Sequence, residues 1–199
     1  YLDSGLDAYT CYYYMITAVD TSGNEGRCSD PSHDRTNPVD HVGWPIKTND
    51  RAISSPAIVN LDGNLGNGLE VVTGSNDGFV YAWHHDGTRV NGWPIDISEG
   101  GTSGIISSPA IGDIDGDRDL EVVIGSWHSG KVWAWHHSGA RVEGWPIQLG
   151  SWVIATPALA DTDGDGALEI AIAESNGNVY LINGDGEIIW QVSTGTDWM

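Results

Sequence analysis

A tetrapeptide that returns three times constrains this chain more than any other feature. GWPI starts at Gly43, Gly92 and Gly144, and a second marker, SSP or ATP, starts at Ser54, Ser107 and Ala155. The period is about 50 residues, typical of architectures that stack copies of one supersecondary unit. Such a unit cannot bury its apolar face alone, so like pieces must pack side by side.

Within the middle copy, SSPAIGDI, LEVVIGS, KVWAWHH and RVEGWPI read as four short β-runs. They are rich in Val, Ile and Trp and are separated by Gly, Asp and Ser turns, and no helical periodicity competes. Four antiparallel strands per 40–50 residues is the pattern of a propeller blade, and the short Gly-Asp repeats of a calcium β-helix are absent. The expected class is all-β: a partial β-propeller of three four-stranded blades spanning residues 41–199. Closed propellers need at least four blades, and STGTDWM stands where a fourth would begin by analogy with QLGSWVIATP. The intact ring is therefore expected to be larger than this chain.

GDIDGDRDLEVV in the second copy places Asp113, Asp115, Asp117, Asp119 and Glu121 within nine residues, directly before Val122 and Val123. Two unit charges about 5 Å apart repel by roughly 3 kcal/mol at an effective dielectric near 20. A folded loop holding several of them calls for a cation. The third copy repeats the pattern as DTDGDGALE, and the first departs from it as NLDGNLGNGLE, with two extra residues before Glu70.

The order SPAIGDIDGDRDLEVVIGS followed by GKVWAWHHSG resembles the FG-GAP or VCBS-type repeat of integrin α-chain propellers and many secreted bacterial proteins. The resemblance covers roughly residues 40–199, and it implies that the acidic loop joins the first two strands of a blade and cages Ca²⁺. Hard Ca²⁺ takes six to eight oxygens, which carboxylates at alternate loop positions supply by turning inward. On this pattern Asp113, Asp115 and Asp117 are side-chain ligands, Asp119 offers its carbonyl, and Glu121 closes the shell. The third set is Asp161, Asp163, Asp165, the carbonyl of Ala167, and Glu169. Asn60, Asp62, Asn64 and Glu70 form a weaker first set, in which calcium is either loosely held or absent.

YTCYYYMITAVDTSGNEG, from Tyr9 to Gly26, resembles the last hairpin of a fibronectin type III module. Residues 1–28 are thus expected to be a truncated remnant of that β-sandwich, with Tyr12, Tyr14, Ile16 and Ala18 on one face. Leu6 and Tyr12 match the family's tyrosine corner, although Ala8 and Tyr9 stand where the family has Pro and Gly. Residues 29–40, SDPSHDRTNPVD, read as a polar linker. Cys11 and Cys28 are either bonded or free, because a hairpin turning near Ser22 and Gly23 offsets them.

Net charge is −20, from 28 acidic and 8 basic residues, which argues against nucleic acid or an anionic membrane as partner. No apolar run approaches the roughly 18 residues of a membrane span. The chain opens YLDSGLDAYT, so any secretion signal is expected outside it. Trp83 and Trp135 occupy matching third-strand positions where the third copy has Ile182, which marks them as core. Trp44, Trp93 and Trp145 of GWP are expected at the fourth strand, packing between blades or stacking on sugar. His84, His85, His136 and His137 do not read as a zinc site, because adjacent strand residues face opposite ways and the third copy has Asn183 and Gly184.

Catalysis finds little support, since the acids able to act as general acid and base are those the loops consume. The function expected is a non-catalytic, calcium-stabilised module of a larger secreted or cell-surface protein, of a bacterial type as the resemblance implies, serving adhesion or glycan or protein binding. The alternative is the propeller portion of a secreted polysaccharide lyase or hydrolase that uses calcium. A quinone-cofactor propeller, faintly resembled by NVYLINGDGEIIWQ, has that motif in one copy only. Antiparallel blade topology places Trp127 and the link residues Trp152 and Trp198 opposite the acidic loops. There Trp127 and Trp152 either contact a glycan or protein or pack locally.

Overall fold

The computed structural model describes residues 11–14, 32–35, 43–99 and 104–195. The chain divides into two compact units, Tyr1–Pro45 and Ile46–Met199. The division falls inside the first GWPI rather than after Asp40, where the linker was expected to end.

In the first unit, β1 (Cys11–Tyr14) and β2 (Ser32–Arg35) pair antiparallel, with Cys11 opposite Arg35 and Tyr14 opposite Ser32. A strand therefore forms within the stretch read as linker. Its SHDR sequence has no apolar alternation to announce it, and backbone pairing needs none. The expected turn at Ser22 and Gly23, the tyrosine-corner residue Leu6, Cys28 and Trp198 lie outside the described residues.

The second unit contains three four-stranded antiparallel sheets, each with its strands in chain order. The first holds β3 (Ala57–Val59), β4 (Glu70–Gly74), β5 (Phe79–His84) and β6 (Ile95–Asp96). The second holds β7 (Ala110–Gly112), β8 (Glu121–Gly125), β9 (Lys131–His136) and β10 (Ile147–Gln148). The third holds β11 (Ala158–Ala160), β12 (Glu169–Ala173), β13 (Asn178–Ile182) and β14 (Ile188–Ser193). First strands of successive sheets touch, β3 with β7 and β7 with β11. These are three blades standing side by side, as the repeat predicts.

The middle blade shows why its second strand reads as an unbroken apolar run. Val122 and Ile124 face back onto Val72, Val80 and Ala82 of the first blade. Val123 faces forward onto the third blade's Ile170, Ile172 and Ile182. Strand side chains alternate, so a strand sandwiched between two neighbours must be apolar on both faces. Each such burial stabilises by about 1.5–3 kcal/mol. The third blade lacks a covering neighbour among the described residues, and Ile188, Ile189, Trp190 and Val192 of β14 are exposed.

The recurrent motifs are interblade locks. Trp93 and Trp145 stand just before β6 and β10 rather than within the fourth strand, and both are buried. Trp93 Nε1 donates to the His137 carbonyl at 3.0 Å, and Trp145 Nε1 to the Gly184 carbonyl at 2.7 Å, each in the next blade. The glycine before each Trp has positive φ, 87° at Gly92 and 85° at Gly144. A Cβ at either would collide with the neighbouring blade's backbone, at Ser138 or Asp185. Ser107 of the SSP triplet accepts from Gly125 N at 3.2 Å and donates to the Ala155 carbonyl at 2.8 Å, joining blades two and three. Trp83, Trp135 and Ile182 are all buried, as their matching positions predict.

Candidate metal centre

Each acidic loop joins the first two strands of a blade. In the second blade, Asp113 turns back on the loop, with Oδ1 accepting from Gly116 N at 2.7 Å and Oδ2 from Arg118 N at 2.9 Å. Asp115 Oδ1 accepts from Asp117 N at 3.2 Å, and Asp117 Oδ1 from Asp119 N at 2.8 Å. These short-range bonds coil the backbone so that one oxygen each of Asp113, Asp115 and Asp117 lies within 4.8 Å of the others. Burial, followed by the charges of Asp117 and Asp113, raises the Asp115 pKa against the pull of the Asp117 amide and His136. Asp119 stays outside this carboxylate group and turns toward His137, with Oδ2 3.7 Å from Nδ1.

Glu121 lies beneath the loop, fully buried at the start of β8. Its Oε2 accepts from Ile114 N at 3.0 Å, and its Oε1 meets His136 Nδ1 at 3.1 Å. Both carboxylate oxygens thus already have partners, so Glu121 first anchors the loop to the strand and only secondarily offers a lone pair to an ion. Burial is the largest influence on its pKa, which is pushed up to about 7 against the hydrogen bonds from Ile114 and His136.

His136, set aside as a zinc ligand in the sequence, reaches the loop through strand register. It lies directly across the ladder from Glu121, as His84 does from Glu70. Asp115, Glu121 and His136 form one group with ligand atoms within 4.8 Å, and Asp62, Glu70 and His84 form its counterpart in the first blade. Each group takes a single histidine of its pair, and His137 lies apart, 3.7 Å from Asp119 Oδ2. Aligning YAWHH and WAWHH against LEVV as hairpins would have revealed the pairing.

The third loop reproduces the second without the histidine. Asp161 accepts from Gly164 N at 2.7 Å and Gly166 N at 3.2 Å, and Asp163 from Asp165 N at 3.1 Å. Asp161, Asp163 and Glu169 converge within 4.8 Å. Asp165 accepts from Ala167 N at 2.9 Å and is not part of that group. Glu169 Oε2 takes both the amide and the hydroxyl of Thr162, at 2.7 and 2.6 Å.

In the first loop the two extra residues form part of a 3₁₀ turn, Leu65–Asn67, capped by Asn64 through its side-chain acceptance from Gly66 N. Asn64 is spent on that cap. Asn67 Nδ2 donates to Asp62 Oδ2 at 2.7 Å. Burial works to raise the Asp62 pKa, but bonds from Asn67 and the Asn64 amide outweigh it and the net shift is downward. Among the described residues, Asn60 Oδ1 and Asn67 Oδ1 are buried acceptors with no hydrogen-bond partner. Orphaned buried oxygens beside Asp62, together with the all-oxygen Asp groups of the other loops, fit a hard divalent cation such as Ca²⁺.

Trp127 and Trp152 sit at the opposite end of the blades, in the β8–β9 turn and the link from β10 to β11. Their rings meet edge to face with centroids 6.2 Å apart, and His128 stacks on Trp127 at 4.1 Å. His128, absent from the sequence reading, thus joins the pair.

Residues 113–172 match the family described as FG-GAP-like repeat. The stretch holding both complete acidic loops is FG-GAP-like. No curated protein sequence matches the chain. Among solved structures, BBS1N in complex with ARL6DN, soaked with mercury, is similar at a TM-score of 0.54 and 13% identity, covering 95% of this chain and 58% of that one. The lead-soaked crystal gives a TM-score of 0.52 at 13% identity, with 96% and 59% covered. BamB from Moraxella catarrhalis is 21% identical over 70% of this chain and 38% of its own, at a TM-score of 0.48. This chain therefore spans less than two thirds of those proteins. The likeness to BBS1N bears on fold alone and agrees with a propeller-like arrangement of blades.

Proposed function

We propose that this chain is a calcium-stabilised propeller module of a larger extracellular protein, with a binding rather than catalytic role. The convergence of Asp113, Asp115 and Asp117 at one loop and of Asp161, Asp163 and Glu169 at the next carries the reading. Carboxylates this close repel strongly until a cation sits among them, and oxygen-only donors favour Ca²⁺ over softer metals. Extracellular calcium modules work at dissociation constants of about 10⁻⁴–10⁻³ M, a range that loops this open to solvent suit. The resemblance of residues 9–26 to the end of a fibronectin type III module supports the same setting, because such modules are common outside cells. The acids are bound into loop turns, so a free general acid and base pair is not evident among them.

Calorimetric titration of the chelator-treated protein with Ca²⁺ tests the reading. Saturable binding that falls away when Asp115→Ala and Asp163→Ala are combined is the expected result. No calcium heat in the folded parent, or unchanged heat in the double variant, overturns it.

A further inference from the structure

At the end of the blades away from the acidic loops, the β8–β9 turn and the link after β10 border an open pocket of about 220 Å³. His128, Ser129, Gln148, Gly150, Ser151 and Trp152 line it. Trp152 is 50% exposed, and its ring is held edge-on by Trp127. A large exposed indole fixed by a neighbouring aromatic is a rigid apolar wall beside polar groups.

Gln148, Ser129 and Ser151 carry no charge. Gln148 Nε2 donates to the carbonyls of Ser129 at 2.9 Å and Leu149 at 2.9 Å, which fixes the amide and leaves its Oε1 as an acceptor. Ser151 Oγ is held by Ser175 Oγ at 2.8 Å. The nearest charges are already engaged. Glu174 accepts from Ser151 N at 2.8 Å, Asn178 Nδ2 at 2.6 Å and Tyr180 OH at 2.8 Å, while Lys131 Nζ pairs with Glu99 Oε1 at 2.6 Å.

We propose that this cavity is a carbohydrate subsite taking one neutral pyranose ring, its C–H face on Trp152 and its hydroxyls on Gln148, Ser129, Ser151 and His128. A pyranose has an apolar face of ring C–H bonds and a rim of hydroxyls that both donate and accept. Its shape matches a single indole wall with neutral amide and hydroxyl groups around it. The cavity volume of about 220 Å³ lies below the ~300 Å³ where pockets for drug-sized ligands begin, so it holds one ring of a glycan rather than several. Among the described residues no Lys or Arg lines it to pair with a uronate, and the net charge of −20 disfavours an anionic sugar. The site deepens the binding half of the proposed function and does not depend on calcium occupying the far loops.

Saturation-transfer NMR and calorimetry on the full chain, with methyl glucoside, galactoside and mannoside as probes and glucuronate as the anionic comparison, test the proposal. At least one neutral glycoside is expected to bind and to contact Trp152. Trp152→Ala should weaken it by about tenfold or more, with Trp152→Phe recovering part and Gln148→Ala costing severalfold. Trp190→Ala, an exposed tryptophan on β14, should leave binding unchanged. The proposal is overturned if no neutral glycoside binds folded protein, if Trp152→Ala binds as the parent does, or if glucuronate binds as well as the neutral sugars. The Asp115→Ala, Asp163→Ala double variant separates the two readings: it should lose calcium and keep the glycoside.

Discussion

The acidic loops of the second and third blades carry the same acids in the same order except at Asp119, where the third has Ala167, yet different groups hold them from below. Glu121 is fastened to the buried amide of Ile114 and to His136, whereas Glu169 takes the amide and hydroxyl of the exposed Thr162. The carboxylate spacing is set by loop hydrogen bonds that are almost identical in the two. The anchor is free to vary because a buried carboxylate needs only satisfied oxygens, whatever donates to them.

The largest expected difference lies in that anchor. Glu121→Ala leaves the buried Ile114 N–H without an acceptor and removes the closer of the two carboxylates facing His136, costing about 3 kcal/mol. Glu169→Ala should cost roughly half as much, since Thr162 is exposed and water replaces the lost acceptor. Denaturant melts of the two chelated variants measure the gap, and equal losses would show that the histidine adds nothing.

Calcium should act next in size at each single loop, and on both loops alike. A cation bound only by the native state adds RT ln(1 + [L]/Kd), about 2.7 kcal/mol per site at a hundredfold excess over Kd. Chelation should therefore lower the melting temperature of the parent. Asp115→Ala should remove part of that sensitivity, Asp163→Ala another part, and the pair most of it. A double variant as chelator-sensitive as the parent would place the ion elsewhere.

Much of this was legible in the sequence. The period of GWPI gives the blades, and the Asp-x-Asp-x-Asp spacing gives the loops, because both depend on neighbours along the chain. What could not be read came from partners fixed by register or by the next blade. His136 meets Glu121 only once β8 and β9 are aligned, and Trp93 finds the His137 carbonyl only across a blade boundary. β2 escaped notice because the polar run SHDR pairs through backbone groups that carry no side-chain signature.

Acidity provides a subtler contrast between the anchors. The folded-state pKa of Glu121 is raised to about 7, against an ordinary glutamate value near 4.3 when unfolded. The fold then binds the proton more tightly than the unfolded chain does. Its stabilising contribution is full below about pH 4.3 and is lost as pH climbs through about 7. In calcium-free protein, the parent should lose stability across this window relative to Glu121→Gln, which cannot titrate. Parallel pH profiles for the two would show that the buried carboxyl stays ionised throughout.

The smallest effect concerns one residue that the two loops do not share. Arg118 has φ of 77°, and the equivalent place in the third loop is Gly166, with φ of 101°. Both amides donate to the first aspartate of their loop, so the backbone path is the same and only the Cβ differs. A left-handed non-glycine residue costs about 1–2 kcal/mol, while glycine gives back about 0.5–1 kcal/mol in unfolded-chain entropy. Arg118→Gly should therefore stabilise the chelated protein by roughly 0.5 kcal/mol. It also removes a positive charge from beside the acids, which should tighten calcium binding modestly. Arg118→Ala separates the two effects, since it removes the same charge and keeps the strain. If both variants gain calcium affinity but only glycine gains stability without the ion, the second loop carries a backbone strain that the third avoids; if alanine matches glycine in stability, charge alone distinguishes them.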